Sequence, residues 1–279
     1  MKVFIVGAGV MASGIAQVFA TGGHEVLMTD ICAEALEKAK KGFVKSLSKL
    51  VEKEKITEDR KNEILAKIHT TSNIADAKDA DLVIEAVSER MNIKKELFSK
   101  LDEICSEKAI FATNTSSLSI TEIACATKHP ERVIGMHFFN PAPVMKLIEI
   151  IKGYTTSQEV YETILKLSKE LGKEPVLCEE APGFVVNRIL IPMINEAIGI
   201  LADGVATAED IDNAMKCGAN HPIGPLALGD LVGLDVVLAI MDVLATEFGD
   251  PKYRAHSLLK KMVRAGKLGR KSGEGFYKY

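Results

Sequence analysis

Gly7-Ala8-Gly9-Val10-Met11-Ala12 follows directly on the apolar run Val3-Phe4-Ile5-Val6, and Asp30 stands further along at the end of a second apolar run. With an acid about 20 residues after the glycines, this spacing can hold a dinucleotide. Gly7 supplies a tight turn, and Gly9 admits a pyrophosphate close to the backbone. Ala12 stands where a small residue lets a helix pack onto the strand. The first N–H groups of that helix, at Val10 and Met11, then point at the phosphates. A carboxylate at Asp30 would hold the adenine ribose hydroxyls of NAD and repel the extra phosphate of NADP, and Ile31-Cys32 offers no arginine to reverse that preference.

Bound ligands in open α/β sheets collect beyond the carboxyl ends of the strands. Three further loops fall there: Glu85–Glu89, Thr113-Asn114-Thr115-Ser116-Ser117, and His137-Phe138-Phe139-Asn140-Pro141. Imidazole titrates near neutral pH, so His137 is the candidate general acid and base; the alternative is a satisfied histidine at a strand end. Glu149, one strand further on, could orient the ring and favour its protonated form. Ser116 and Asn114 suit turns and caps, and equally suit hydrogen bonding to a substrate oxygen or a nicotinamide amide. Asn187 begins the first helix of the second domain, as a cleft-closing group or an exposed helical polar residue.

These loops need a scaffold, and the first two-thirds of the chain alternate short β-type runs with helical patterns. Strands are expected at Leu82–Ala86, Ile110–Thr113, Val133–His137, Lys146–Ile150 and Pro175–Cys178. Leu36, Ala39, Phe43, Leu47 and Leu50 recur at three- and four-residue intervals, giving a long amphipathic helix. The character changes near Pro182, beyond which only helical patterns appear. The reading is a Rossmann-type, mostly parallel α/β sheet over residues 1–182, followed by an all-helical domain over 183–279.

The composition narrows the class. The 279 residues are 47% hydrophobic with a net charge of −3, enough for packed cores and without a field that recruits nucleic acid or an anionic membrane. The five cysteines form no C-x-x-C pair, so neither a metal site nor a disulfide framework is expected, and each reads as a small buried hydrophobe in a reducing, cytoplasmic setting. Val3–Gly23 carries no formal charge, but its glycines and polar residues argue for strand, turn and helix rather than a membrane span or signal peptide. Lys38, Lys41, Lys45, Lys49 and Lys53 form one helical stripe, either a solvated face paired with Glu34, Glu37 and Glu52 or a capture surface for a phosphorylated substrate.

Asn114-Thr115-Ser116-Ser117-Leu118, the run His137–Leu147, Pro182-Gly183-Phe184-Val185-Val186-Asn187-Arg188, Gly224-Pro225 and the terminal Gly273–Tyr277 resemble the L-3-hydroxyacyl-CoA dehydrogenases over essentially the whole chain. The resemblance implies reversible hydride transfer between NAD and a 3-hydroxyacyl-CoA, with short-chain (S)-3-hydroxybutyryl-CoA and acetoacetyl-CoA as the nearest pair. It implies His137 as acid/base, Glu149 as its partner, and Ser116 and Asn187 on the substrate oxygen. Glu89, Lys94, Asn114, Asn140 and Lys271 match cofactor-contacting positions, and Ser46 and Lys53 match positions near the coenzyme A moiety. It also implies a homodimer built through the C-terminal domain. Ala12, where relatives more often carry glycine, departs from the pattern and bears on cofactor affinity. Two rivals stand beside this reading: a dehydrogenase of a free hydroxy or sugar acid, and a non-catalytic nucleotide-binding protein.

Overall fold

The computed structural model describes every residue, Met1–Tyr279. The chain divides into two compact units, Met1–Ala181 and Pro182–Tyr279. The first is built on one sheet of eight strands: β1 Lys2–Val6, β2 Glu25–Thr29, β3 Ile68–Thr71, β4 Leu82–Glu85, β5 Ile110–Thr113, β6 Val133–Phe138, β7 Leu147–Lys152 and β8 Glu174–Glu179. Their spatial order is β3-β2-β1-β4-β5-β6-β7-β8, and every neighbouring pair is parallel except β6 and β7. The order reverses between β1 and β4, which places a ligand crevice at their carboxyl ends.

Helices cover the sheet: α1 Val10–Thr21, α2 Ala33–Glu52, α3 Glu58–Ala66, α4 Met91–Ile104, α5 Ile120–Ala124 and α6 Gln158–Glu170. On α2 the buried residues are Leu36, Ala39, Phe43 and Leu47, the i, i+3, i+4 spacing of one face against the sheet. Polar side chains mark the starts: Thr57 accepts from the N–H of Arg60 at α3, and Ser157 from that of Val160 at α6. By contrast α1 starts at Gly9 with no side-chain cap, so its leading N–H groups are not occupied from within. Strand β3 was not anticipated. Ile68-His69-Thr70-Thr71 shows no apolar alternation because it is an edge strand, held by pairing with β2 rather than by burial.

The second unit packs α7 Val186–Ala202, α8 Ala208–Gly218, α9 Pro225–Val232, α10 Leu234–Phe248 and α11 Ser257–Arg264 around Ile194, Leu226, Leu234, Met241 and Leu259. Its only β-type pairing is two isolated bridges in the tail, Gly269 with Glu274 and Glu274 with Lys278.

At the amino end of β6 a buried ion pair fastens the first unit. Asp102 accepts from the N–H of Lys128 at 2.8 Å and from the guanidinium of Arg132, which also lies 4.4 Å above the Phe111 ring. Burial pushes the Asp102 carboxyl up, but the Lys128 N–H and Arg132 outweigh it and hold the group below its ordinary value. Asp102→Asn is therefore expected to lower stability by about 3 kcal/mol, since Arg132 is left as a buried unpaired charge. The sign with pH follows from the depressed value. The contribution is complete above about pH 4, where the unfolded carboxyl ionises, and is lost as pH falls through the folded value. Denaturant titrations of both proteins at neutral and acid pH should converge at the acid end.

Candidate active site

His137 and Glu149 lie directly opposite each other in the antiparallel β6–β7 pair. Cross-strand neighbours on one face stand about 5 Å apart at Cβ, close enough for their side chains to meet. The loop between the strands fixes this register, and imidazole Nδ1 lies 2.7 Å from Glu149 Oε2. Both are buried, at 5% and 0% exposure, so the carboxylate acts on the ring without competing water. The Phe139 ring packs on the imidazole with centroids 4.5 Å apart. Cys178, on β8, brings its sulfur to 4.0 Å from the other Glu149 oxygen.

The Asn114–Ser117 loop leaves the carboxyl end of β5, next to β6. Asn114 Oδ1 accepts from the N–H of Phe138 at 2.8 Å, tying this loop to the histidine strand. Glu89 Oε1 accepts from Thr115 Oγ1 at 2.6 Å, the Ser116 N–H at 2.7 Å and the Ser117 N–H at 3.2 Å. Those main-chain donors are thus used inside the loop, and a ligand oxygen here would be met by a side-chain hydroxyl.

Behind Glu89 sits a buried charge cluster. The Lys94 ammonium is 2.6 and 2.8 Å from the two oxygens of Glu85 and 3.4 Å from Glu89. Glu85 also accepts from Thr113 Oγ1 and the N–H of Val87. Lys94 is 1% exposed and reaches the loop through Glu89, so its place is beneath the site rather than on its surface. Glu85 was not singled out from sequence. A carboxylate closing the apolar run Leu82-Val83-Ile84 was the available signal.

The glycine loop fits a dinucleotide. A methyl on Gly7, whose φ is +116°, would stand 2.6 Å from the Ala86 carbonyl, so only glycine lets the loops after β1 and β4 pass at the switch point. Gly9 has open space within 4 Å where a side chain would go, and Val10 beside it is exposed. Ala12 is fully buried on the inner face of α1, its methyl part of the core. Asp30 braces the loop: Oδ2 accepts from the Ala8 N–H at 2.7 Å and Oδ1 from the Cys32 N–H at 2.8 Å. Each oxygen keeps a lone pair for a ribose hydroxyl. Met11 is half-buried on the first turn of α1, and Asn140 is exposed in the loop after β6.

Two further predicted positions lie on α2 and at its end. Ser46 is half-buried on α2 and Lys53 exposed at its end. The stripe lysines do not pair as expected; Glu37 takes Lys40 instead, because i to i+3 puts Lys40 on its own face. In the second unit, Asn187 is buried at the first turn of α7, not exposed, and Lys271 pairs with Asp235. The cysteines also depart from expectation: Cys105 and Cys178 are buried but Cys32, Cys125 and Cys217 are exposed, since each of these falls at a helix end or on a polar helix face. A cavity of about 340 Å³ lined by Phe4, Val26, Leu27 and His69 opens at the amino ends of β1–β3, the wrong end of the sheet for this chemistry.

The chain is similar to known proteins along its whole length. Residues 2–181 match the family model described as 3-hydroxyacyl-CoA dehydrogenase, NAD binding domain, and residues 183–279 match its C-terminal domain. A 3-hydroxybutyryl-CoA dehydrogenase of Clostridioides difficile is 61% identical over 279 residues, covering 100% of this chain and 99% of its own. The human mitochondrial hydroxyacyl-coenzyme A dehydrogenase is 47% identical, covering 99% of this chain and 90% of its own. Among solved structures, an (S)-3-hydroxybutyryl-CoA dehydrogenase from Ralstonia eutropha superposes with a TM-score of 0.96 at 51% identity, covering 100% of this chain and 98% of that one.

Proposed function

The chain belongs to the 3-hydroxyacyl-CoA dehydrogenase family, and from that membership we propose how its residues divide the work. It is an NAD-dependent oxidoreductase that interconverts (S)-3-hydroxybutyryl-CoA and acetoacetyl-CoA. The buried His137–Glu149 pair at the carboxyl end of β6 carries the reading. With Nδ1 committed to Glu149, Nε2 is the nitrogen that exchanges a proton with the C3 oxygen. In oxidation neutral His137 removes the hydroxyl proton; in reduction the imidazolium returns it to the developing alkoxide. Glu149 fixes the ring's orientation and stabilises the cation. The Ser116 hydroxyl holds the oxygen in line, and Asn187 is assigned a second polar contact to it through the family resemblance. Bound NAD supplies the hydride acceptor, and NADH the donor.

Gly7, Gly9, Val10, Met11 and Ala12 receive the pyrophosphate, and Asp30 the adenine ribose. Asn114 and Asn140 meet the nicotinamide side, Glu89 and Lys94 support that loop, and Lys271 is assigned a cofactor contact through the family resemblance. Ser46 and Lys53 are assigned to the coenzyme A moiety, where an exposed lysine suits a phosphate. A homodimer through the C-terminal domain is supported by apolar side chains left at the surface of the second unit, among them Ile189 at 68% exposure and Leu231 at 52%. No helix is long and apolar enough to cross a membrane. Five free cysteines suit a reducing cytoplasm.

The test is reduction of acetoacetyl-CoA with NADH and with NADPH, on the wild type and Asp30→Ala. NADH should be strongly preferred by the wild type. The variant should raise KM for NADH about tenfold, the loss of charged hydrogen bonds, and narrow the gap to NADPH. Equal use of the two cofactors by the wild type would overturn the role given to Asp30.

A further inference from the structure

Lys173, just before β8, is used by none of the chemistry above, yet its side chain is buried at 8% exposure. Its ammonium donates to the carbonyls of Ala142 at 2.6 Å and Met145 at 2.7 Å. Burial alone moves its pKa, downward, with no carboxylate offsetting it. A lysine desolvated against carbonyl dipoles alone is costly to keep. Both carbonyls belong to the loop that joins His137 to Glu149, which includes Asn140.

The same loop is pressed onto α1. Ala142 is buried, and a methyl on Gly14 would stand 3.1 Å from Ala142 Cβ and 3.3 Å from Pro143 Cδ. Within the loop, the N–H groups of Val144 and Met145 both donate to the Pro141 carbonyl. Gly14 packs against this loop, and Lys173 grips two of its carbonyls.

We propose that Lys173 is a positioning residue for hydride transfer: by clamping the Ala142 and Met145 carbonyls it holds the 140–145 loop against Gly14, and so fixes Asn140 where the nicotinamide binds. This rests on the assignment of Asn140 to the cofactor. It separates Lys173 from a general structural staple, because the loop's function is tied to one ligand.

The experiment compares Lys173→Met, Lys173→Arg and Asn140→Ala in the full chain, reading NADH affinity by fluorescence, steady-state constants and thermal midpoint. Lys173→Met should raise the NADH Kd about tenfold, a part of the weight of two hydrogen bonds from a charged donor. It should lower kcat and leave KM for acetoacetyl-CoA within about twofold. Lys173→Arg, which keeps charge and donors, should recover most of the affinity. If Lys173→Met does not fold, Lys173→Gln takes its place, and a Kd between those of the arginine variant and Asn140→Ala supports the clamp. A methionine or glutamine variant with wild-type NADH affinity, beside an Asn140→Ala that has lost it, overturns the role of Lys173. An Asn140→Ala with wild-type affinity removes instead the cofactor assignment on which the role rests. A lowered thermal midpoint with unchanged Kd and kcat in the lysine variants makes Lys173 a staple only and also overturns the proposal.

Discussion

His137→Ala is expected to lower kcat for acetoacetyl-CoA reduction about a thousandfold, the range of a lost general acid, while NADH should still bind with near wild-type affinity. The asymmetry follows from where the histidine sits. It lies one residue before the end of β6, whereas the residues assigned to the adenine half lie in the loop after β1 and at Asp30. Glu149→Gln should cost less, about a hundredfold, since an amide still reaches Nδ1 but no longer stabilises an imidazolium. Stopped-flow reduction together with NADH fluorescence separates the two effects. A His137→Ala enzyme with unimpaired kcat, or one that has lost NADH binding altogether, contradicts the assignment.

Asp230→Ala is expected to destabilise the second unit by about 3 kcal/mol and to release the C-terminal tail, since buried N–H donors lose a charged acceptor. Asp230 is 1% exposed and accepts from the N–H groups of Phe276 and Tyr277, each at 3.0 Å, and from the Tyr279 hydroxyl at 3.1 Å. A second carboxylate repeats the arrangement. Asp212 takes the Tyr277 hydroxyl at 2.8 Å and the Leu226 and Ala227 N–H groups that open α9. Gly269 and Gly275 are required because a methyl on either would run into Asp230. Burial, followed by hydrogen bonding to Asp212, raises the Tyr277 hydroxyl above its ordinary value; burial and the Asp230 charge raise that of Tyr279. The clasp is therefore complete below about pH 10, where unfolded tyrosines ionise, and weakens as pH rises further. Hydrogen exchange of the tail amides, which should quicken selectively in the variant, reports it. Unchanged exchange and an unchanged denaturation midpoint would remove Asp230 from this role.

The legible parts of this molecule are those that local chemistry dictates. The strand, the two glycines and Asp30 announce the dinucleotide loop because the turn and the close approach each demand a residue type. The alternating apolar runs announce the sheet, apart from edge strand β3, whose polar side chains follow from lying at a margin. His137 and Glu149 could be named as partners from sequence, but their contact depends on a register set by the intervening loop. What holds that loop was not legible, because Lys173 reads as one more surface lysine until its carbonyl partners are seen. Glu85, Asp212 and Asp230 escaped for the same reason. A carboxylate in sequence carries no sign of the backbone donors that fold around it, and those donors come from segments 14 to 47 residues away in the second unit.

The transfer of hydride by this chain to a coenzyme A ester is proposed to run under control of His137. Its most direct test is NADH oxidation by the wild-type enzyme with acetoacetyl-CoA or free acetoacetate as the only acceptor, at equal concentrations. Rapid turnover of the ester with little or none of the free acid is the result predicted here. Comparable turnover of the free acid, or firm NADH binding with no turnover of the ester, would contradict it.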